Sequence, residues 1–125
     1  MQRLSYATLP RLPVAVCKPA YDPSTVKTGI VHLGVGAFHR AQQAVYTDAV
    51  LEDGDLRWGI AGVSLRAGGT RDAIAPQDCL YTLSERDAGG EDLRVIGALR
   101  GLIVAPEDPG QLIETLSRPS VKIVS

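Results

Sequence analysis

Long apolar runs, blocks of like charge and closely spaced cysteines are all missing from this chain. No window approaches the roughly 20 apolar residues that span a bilayer, and the N-terminus lacks the apolar core of a signal peptide. Thirteen Lys and Arg are balanced by fourteen Asp and Glu, which are scattered along the sequence and leave a net charge of -1. The sequence therefore indicates neither a membrane segment nor a basic nucleic-acid surface.

The two cysteines, Cys17 and Cys79, lie too far apart for a metal-binding or redox motif. We expect two reduced thiols in a cytoplasmic protein, with a disulfide between them as the alternative. The chain does have 45% hydrophobic residues over 125 positions, which is enough for one globular domain with a core.

Prolines dominate the first 29 residues, at positions 10, 13, 19 and 23, and they disfavour regular helices and sheets. We therefore assign residues 1–29 to an extended N-terminal arm and residues 30–125 to a partial nucleotide-binding domain. The run GIVHL, from Gly29 to Leu33, is short and β-branched, which is typical of a strand buried on both faces. We expect its His32 to be a hydrogen-bonded structural residue and not a ligand.

A helix and a second strand follow. Small or apolar residues at three- and four-residue steps predict one helix over residues 37–52, with a face interrupted by Asp48 and a stop at Gly54. The run WGIAGVSL, from Trp58 to Leu65, predicts the second strand. Strand, helix and strand at this spacing form a βαβ unit, which implies parallel pairing.

The pattern then changes to alternation. Residues 79–85 and 93–98 alternate apolar and polar side chains around the Gly-rich stretch DAGGED, which predicts an inserted β-hairpin. Asp108 and Pro109 open a short helix through Leu116, in which Leu112, Ile113 and Leu116 share a face. Residues 121–125 (VKIVS) begin another buried strand. We expect this chain to be the N-terminal part of a larger two-domain protein with an α/β, Rossmann-like, mainly parallel sheet.

The turn between the first strand and the helix carries the candidate site. In a dinucleotide fingerprint the first glycine permits a tight turn, and the second lets the backbone approach a pyrophosphate. Gly34 and Gly36 have this spacing, but His39 stands where the third glycine is usual. Arg40 would either meet a bound phosphate or simply reach solvent or an acidic neighbour, and the sequence does not separate these alternatives.

The second strand lacks the acidic residue that usually holds the adenosine ribose. Ser64, Leu65 and Arg66 stand there instead. Arg66, with Arg71, could meet a 2′-phosphate, so the residues alone favour NADP slightly; a solvated arginine is the simpler alternative.

The string IVHLGVGAFHRAQQAVYTD resembles the N-terminal signature of the long-chain mannitol dehydrogenase family. That family includes fructuronate reductase (mannonate oxidoreductase), mannitol 2-dehydrogenase and related polyol and hexuronate dehydrogenases. The resemblance continues through WGIAGVSL, QDCLYTLSE and RPSVKIVS, in order, from about residue 12. The segments RLPVAV and GVSL are most similar to the fructuronate reductase branch, whose substrates are D-mannonate and D-fructuronate.

The resemblance implies a zinc-independent, NAD(P)-dependent oxidoreductase that interconverts a secondary alcohol and a ketone on a linear sugar. It implies NAD as the cofactor, with NADP as the alternative, a sugar-acid or polyol substrate bound through a C-terminal domain, and neither nucleic acid nor membrane as a partner. No metal site is expected. The predicted cofactor-binding residues are Ile30, Val31, His32, Leu33, Gly34, Val35, Gly36, Ala37, Phe38, His39, Arg40, Ala41, Leu65 and Arg66.

The family's catalytic lysine, with its companion asparagines and histidine, lies beyond Ser125, so no catalytic residue is assigned here and this piece alone is expected to be inactive. The family usually reads FHRAH, whereas this chain has Gln42 after Ala41. Two other classes remain open. A nucleotide-sensing or structural α/β module would lack chemistry, and a methyltransferase would want an acidic residue after the second strand.

Overall fold

The computed structural model describes residues 2–125 and has the predicted α/β architecture. Four parallel strands form the main sheet, and three further strands form a smaller one. The strands are β1 (Val16–Cys17), β2 (Thr28–Leu33), β3 (Gly59–Ser64), β4 (Tyr81–Asp87), β5 (Gly90–Ile96), β6 (Leu99–Val104) and β7 (Ile123–Val124). The helices are α1 (Ala37–Ala41), α2 (Gln43–Glu52), α3 (Gly69–Ile74) and α4 (Pro109–Leu116), with short 3-10 turns at Leu9–Arg11, Pro23–Thr25 and Ala75–Gln77.

The main sheet has the order β6-β3-β2-β7, and it contains the predicted βαβ unit. β2 and β3 pair in parallel, with Val31 opposite Ala61 and Leu33 opposite Val63. Each face of the sheet is covered by its own apolar cluster. Ile30 and Ile60 pack with Leu51 of α2 on one face, whereas neighbours along the same strands pack with α4 on the other. Burial on both faces explains why the central residues of β2 and β3 are apolar.

The predicted single helix over residues 37–52 is wrong. The backbone leaves the helical region at Gln42 (φ −123°, ψ −88°), which divides the segment into α1 and α2. After this break, the faces that α1 and α2 bury no longer follow one continuous helical pattern. Ala44, Asp48 and Leu51 of α2 are buried as expected, but the buried residue of α1 is His39, while Ala41 is exposed.

The predicted hairpin is confirmed. β4 and β5 pair antiparallel from Tyr81 opposite Ile96 to Asp87 opposite Gly90. The N-terminal arm contributes to the same sheet, because β1 pairs in parallel with β5 through Val16 and Leu93. The smaller sheet therefore joins the arm to the hairpin, in the order β1-β5-β4.

The arm and the hairpin meet α2 at Asp48. Its carboxylate is fully buried, accepts hydrogen bonds from the Tyr21 hydroxyl and the Gly97 N–H, and pairs with Arg94 at 3.2 Å. Burial and the neighbouring Asp48 raise the pKa of Tyr21 well above its usual range, so this hydroxyl remains a donor. Asp48, which interrupts the apolar face in the sequence, is thus the acceptor that joins three elements.

The sequence did not predict β6 or α3. β6 begins only three residues after β5 ends, so the link between the two strands is too short to stand out in the sequence. The strand expected within residues 121–125 is present as β7, but its expected burial is wrong, since Ile123 and Val124 are 43% and 54% exposed at the edge of the sheet. The face expected for α4, with Leu112, Ile113 and Leu116 together, is also wrong. Leu112 packs against the sheet and Thr115 is buried, whereas Ile113 is 64% exposed.

Both cysteines are free thiols, Cys17 exposed and Cys79 buried, so the alternative of a disulfide is wrong. Within residues 2–125, no helix has the length and apolar character needed to cross a membrane.

Candidate functional site

The glycine turn lies where the chain reverses its direction through the main sheet. β2 has β3 on one side and β7 on the other. From β2 the chain proceeds through α1 and α2 to β3 and β6, and α4 then returns it to β7 on the opposite side of β2. In open parallel sheets, ligands bind at the carboxyl ends of the strands at such a switch point. The topology therefore places the turn at the expected binding position.

The turn is fixed to β3 by backbone hydrogen bonds. The N–H groups of Gly34 and Val35 donate to the carbonyl of Val63, at 2.8 and 3.2 Å. Gly34 has a φ of +100°, a conformation that favours glycine. Val35 is buried against Gly62, where an added Cβ would come within 2.6 Å of the Val35 side chain. These contacts hold the first half of the turn rigidly.

Gly36 is placed differently. Its backbone is extended (φ −86°, ψ −171°), so a side chain would be tolerated conformationally. A Cβ built there meets no atom within 4 Å among the described residues, which means that the space beside Gly36 is open. Glycine at this position therefore leaves room for a ligand, whereas Gly34 serves the turn itself.

Arg40 reaches back to the turn. Its Nε donates to the Gly36 carbonyl at 3.3 Å, and its own carbonyl accepts from the Tyr81 hydroxyl at 2.5 Å. Across the described part of the chain, Arg40 makes no ion pair with an acidic residue. Its guanidinium group therefore lies beside the turn without a carboxylate to neutralise it.

Two histidines stack under the turn. The rings of His32 and His39 are 3.9 Å apart and 14° from parallel. His32 Nδ1 lies 2.9 Å from Ser125 Oγ, a hydrogen bond that fits the structural role expected for it. His39 is only 4% exposed, and neither of its ring nitrogens has a hydrogen-bond partner in the part of the chain that the structure describes. Burial and the neighbouring His32 lower the pKa of His39 to about 4, so it is neutral at pH 7.

Two open pockets flank the turn and share Gly34 and Gly36. The switch-side pocket, about 260 Å³, is lined by His32, Gly34, Gly36, Phe38, His39, Gln42 and Gln43. The β3-side pocket, about 320 Å³, is lined by Gly34, Val35, Gly36, Ser64, Leu65, Arg66, Ala67 and Thr70. An elongated ligand can therefore cross the turn at Gly36 with one half in each pocket.

The structure distributes the predicted cofactor-binding residues over three environments. The side chains of Ile30 and Val31 lie in the two apolar clusters, so they can act only by positioning the strand. Most of the other predicted residues lie at the turn or line one of the two pockets. Four of them line neither pocket: Leu33, Ala37, Arg40 and Ala41. The predicted set did not include the lining residues Gln42, Gln43, Ser64, Ala67 and Thr70. Thr70 could have been found from the two glycines before it, which mark the start of α3.

Over residues 2–125, no group of three or more His, Cys, Asp and Glu side chains could hold a metal ion.

Comparison with protein families gives a match over residues 28–125 to the model described as the mannitol dehydrogenase Rossmann domain. The chain is also similar to a mannitol 2-dehydrogenase of Pyrenophora tritici-repentis, with 45% identity over 88% of this chain and 20% of the relative. A polyol:NADP oxidoreductase of Gluconobacter oxydans is 42% identical over 94% of this chain and 25% of the relative.

Among solved structures, the chain is similar to Pseudomonas fluorescens mannitol 2-dehydrogenase in a ternary complex with NAD and D-mannitol. The TM-score is 0.92 at 41% identity, over 98% of this chain and 26% of that one. The chain therefore spans about a fifth to a quarter of the length of these relatives.

Proposed function

The chain belongs to the mannitol dehydrogenase family, and from this premise we propose that it is the cofactor-binding part of a polyol dehydrogenase and holds NAD across the glycine turn. The observation that carries the proposal is the pair of pockets that share Gly34 and Gly36 at the switch point of the sheet. The likeness to a solved relative described with NAD supports it.

The residues present fit a dinucleotide. The open space beside Gly36 allows a pyrophosphate to approach the backbone, and the unneutralised Arg40 lies next to it. The buried His39 has two ring nitrogens without a partner at the border of the switch-side pocket, where a nicotinamide or its ribose could supply one. The β3-side pocket then takes the adenosine half, because the strand after the glycine turn carries the ribose contacts in Rossmann domains.

Bound NAD supplies the hydride acceptor for oxidation of a secondary alcohol. This chain's own residues bind and orient it. The turn, fixed to β3 through Gly34 and Val35, sets the position of the pyrophosphate. His39, which its lowered pKa keeps uncharged, stacks on His32 at the border of the switch-side pocket. Proton transfer and substrate binding are assigned to residues outside these 125.

For the substrate, we propose a linear polyol such as D-mannitol with its 2-ketose. The curated relatives named above act on mannitol or polyols by their names. The narrower hypothesis from the sequence, D-mannonate and D-fructuronate, rests on the segments RLPVAV and GVSL and stays a prediction. Steady-state rates of the protein that carries this chain with mannitol, fructose, mannonate and fructuronate distinguish the two. A hundredfold preference for the uronate pair would establish the narrower one.

A Gly36→Val substitution tests the binding proposal. A branched side chain fits the chain's own fold there, because the backbone is extended and the space is open, but it enters the path of the pyrophosphate. We expect the Kd for NADH to rise tenfold or more, about 1.4 kcal/mol, in a fluorescence titration of the protein that carries this chain.

Gly101→Val is the matched control. Gly101 lies in β6, and a Cβ built there also meets no described atom within 4 Å. The Gly101→Val variant should therefore bind NADH with the same Kd as the unmodified protein. Equal NADH affinity in Gly36→Val and the unmodified protein, with both correctly folded, would remove Gly36 from the site.

The expected cytoplasmic location stays a prediction, as do the boundary between arm and domain at residues 29 and 30 and the inactivity of this piece alone.

A further inference from the structure

A second cleft opens at the β6 edge of the main sheet, between that strand, α4 and the 3-10 turn at Ala75–Gln77. Its volume is about 340 Å³, and it shares no lining residue with the two pockets at the glycine turn. No Asp or Glu among residues 2–125 lines it. The side chains with polar atoms in this β6-edge cleft are those of Thr28, Cys79, Arg100, Gln111, Thr115 and Arg118.

Arg100 is held in the cleft by uncharged partners. Its Nη1 donates to the Tyr6 hydroxyl at 2.5 Å and to the Pro23 carbonyl at 2.9 Å. A Cβ built on Gly59 would come within 2.6 Å of the Arg100 Cγ, so glycine at the start of β3 makes room for this side chain. Within the described chain, Arg100 makes no ion pair, and its Nε and Nη2 have no acceptor. The guanidinium group is therefore fixed in position and keeps both its charge and free N–H donors.

The carboxylates near Arg100 are engaged elsewhere. Asp22 accepts hydrogen bonds from the N–H and the hydroxyl of Ser24, and Asp78 accepts from the Tyr6 N–H at 2.8 Å. Neither carboxylate lines the cleft. Burial raises the pKa of the Cys79 thiol above its usual range, so this thiol is neutral at pH 7. The β6-edge cleft therefore carries positive charge that no lining group offsets.

α4 and the start of β2 contribute further donors. Three lining side chains have no hydrogen-bond partner among residues 2–125: Thr28, Gln111 and Arg118. Thr115 is only 3% exposed, and its hydroxyl donates to the Gln111 carbonyl at 2.8 Å, which fixes the wall of the cleft at this point. The free groups are thus two guanidinium groups, one amide and one hydroxyl, each able to donate.

This set matches an anion that only accepts hydrogen bonds. A phosphomonoester carries a charge of about −1.5 to −2 at pH 7 and three strong acceptor oxygens, which suits two arginines and their neighbouring donors. The planar guanidinium group presents paired N–H donors to phosphate oxygens. A single carboxylate would balance only one of the two cations. The volume of the cleft lies at the lower end of the roughly 300–1,000 Å³ found for small-molecule sites, which leaves room for an organic group beyond the phosphate.

We propose that the β6-edge cleft binds the phosphate group of a small phosphomonoester, with Arg100 and Arg118 as the cations and with Thr28 and Gln111 as additional donors. The proposal goes beyond dinucleotide binding and does not depend on it, because the cleft has no residue in common with the glycine turn.

Calorimetric titrations with inorganic phosphate and with glycerol 3-phosphate test the site in the protein that carries this chain. The protein is first saturated with NADH, so that neither probe can occupy the glycine turn, and the ionic strength is held constant. We expect one saturable site per chain, at which glycerol 3-phosphate binds at least as tightly as inorganic phosphate.

Arg118→Ala assigns the binding to the cleft. Arg118 is exposed and has no side-chain partner among the described residues, so its removal should leave the fold intact. We expect the Kd for glycerol 3-phosphate to rise about tenfold or more, because a charge-assisted contact is lost, and the Kd for NADH to stay unchanged. Arg100→Lys keeps the charge but removes the paired donors, and it should also weaken glycerol 3-phosphate. Arg86→Ala is the matched control, since it removes an arginine from the hairpin, and it should change neither Kd.

Three results would overturn the phosphate site and leave the proposed function standing. They are the absence of saturable binding by either probe, binding of inorganic phosphate with exclusion of glycerol 3-phosphate, and equal glycerol 3-phosphate affinity in Arg118→Ala and the unmodified protein. Failure of NADH to bind would instead overturn the proposed function. The comparison of Arg118→Ala with the unmodified protein would then still decide the phosphate site.

Discussion

The two glycines of the turn have different roles: Gly34 allows the backbone conformation, and Gly36 leaves open space for a ligand. Gly34 needs its positive φ to connect β2 to α1, so the fold alone accounts for it. Gly36 has an extended backbone and open space beside it, so the fold does not account for the absence of a side chain there. The spacing of both glycines was visible in the sequence. Their division of roles required the backbone angles and the surrounding atoms.

His39 is among the predicted cofactor-binding residues, but the sequence could not predict its burial. It occupies the position of the usual third glycine, and the expected continuous helix would have left its burial undetermined. Because the chain breaks at Gln42, α1 turns His39 inward onto His32. The pattern of apolar residues contains no signal for this, since it depends on a local departure from helical geometry.

The buried His39 makes stability depend on pH. Its pKa is 6.5 when unperturbed and about 4 in the fold, so the unfolded chain takes up a proton first as the pH falls. The contribution is fully present above pH 6.5 and is lost progressively between pH 6.5 and pH 4, up to about 3 kcal/mol. Urea unfolding at pH 7 and pH 4 should show this loss in the unmodified protein and not in His39→Phe. Equal losses in both would contradict the assignment.

At the scale of elements, the sequence predicts best where periodicity and turn signals agree. β2 and β3 were predicted from short apolar runs, the hairpin from alternation around a Gly-rich stretch, and α4 from its start at Asp108 and Pro109. β6 and α3 were missed because β6 follows another strand at once and α3 is only six residues long. The exposure of β7 depends on its place at the sheet edge, which no local pattern encodes.

The junction at Asp48 should contribute much of the stability that holds the elements together. Asp48→Ala leaves the Tyr21 hydroxyl, the Gly97 N–H and Arg94 without their shared acceptor. We expect the free energy of unfolding to fall by about 3 kcal/mol or more in a urea titration. Asp53→Ala removes an exposed acid from the end of the same helix and should cost less than about 0.5 kcal/mol. Similar losses in the two variants would show that the junction contributes little.

At the scale of the whole molecule, the account depends on which end of the main sheet binds the dinucleotide. The carboxyl ends of the strands carry the glycine turn and its two pockets. The amino ends carry a different cleft of about 230 Å³, lined by Lys27, Arg57, Trp58, Ser120 and Lys122. That cleft is basic, but Arg57 is already paired with Asp55. The switch in strand order occurs beside the turn, which favours the carboxyl end.

A crystal structure of the protein that carries this chain, grown with saturating NADH, tests the central claim most directly. The account predicts the pyrophosphate beside Gly36, the adenosine ribose in the β3-side pocket next to Arg66, and the nicotinamide half in the switch-side pocket near His39. A dinucleotide in the basic cleft at the amino ends, or a glycine turn without bound dinucleotide at saturation, would contradict it.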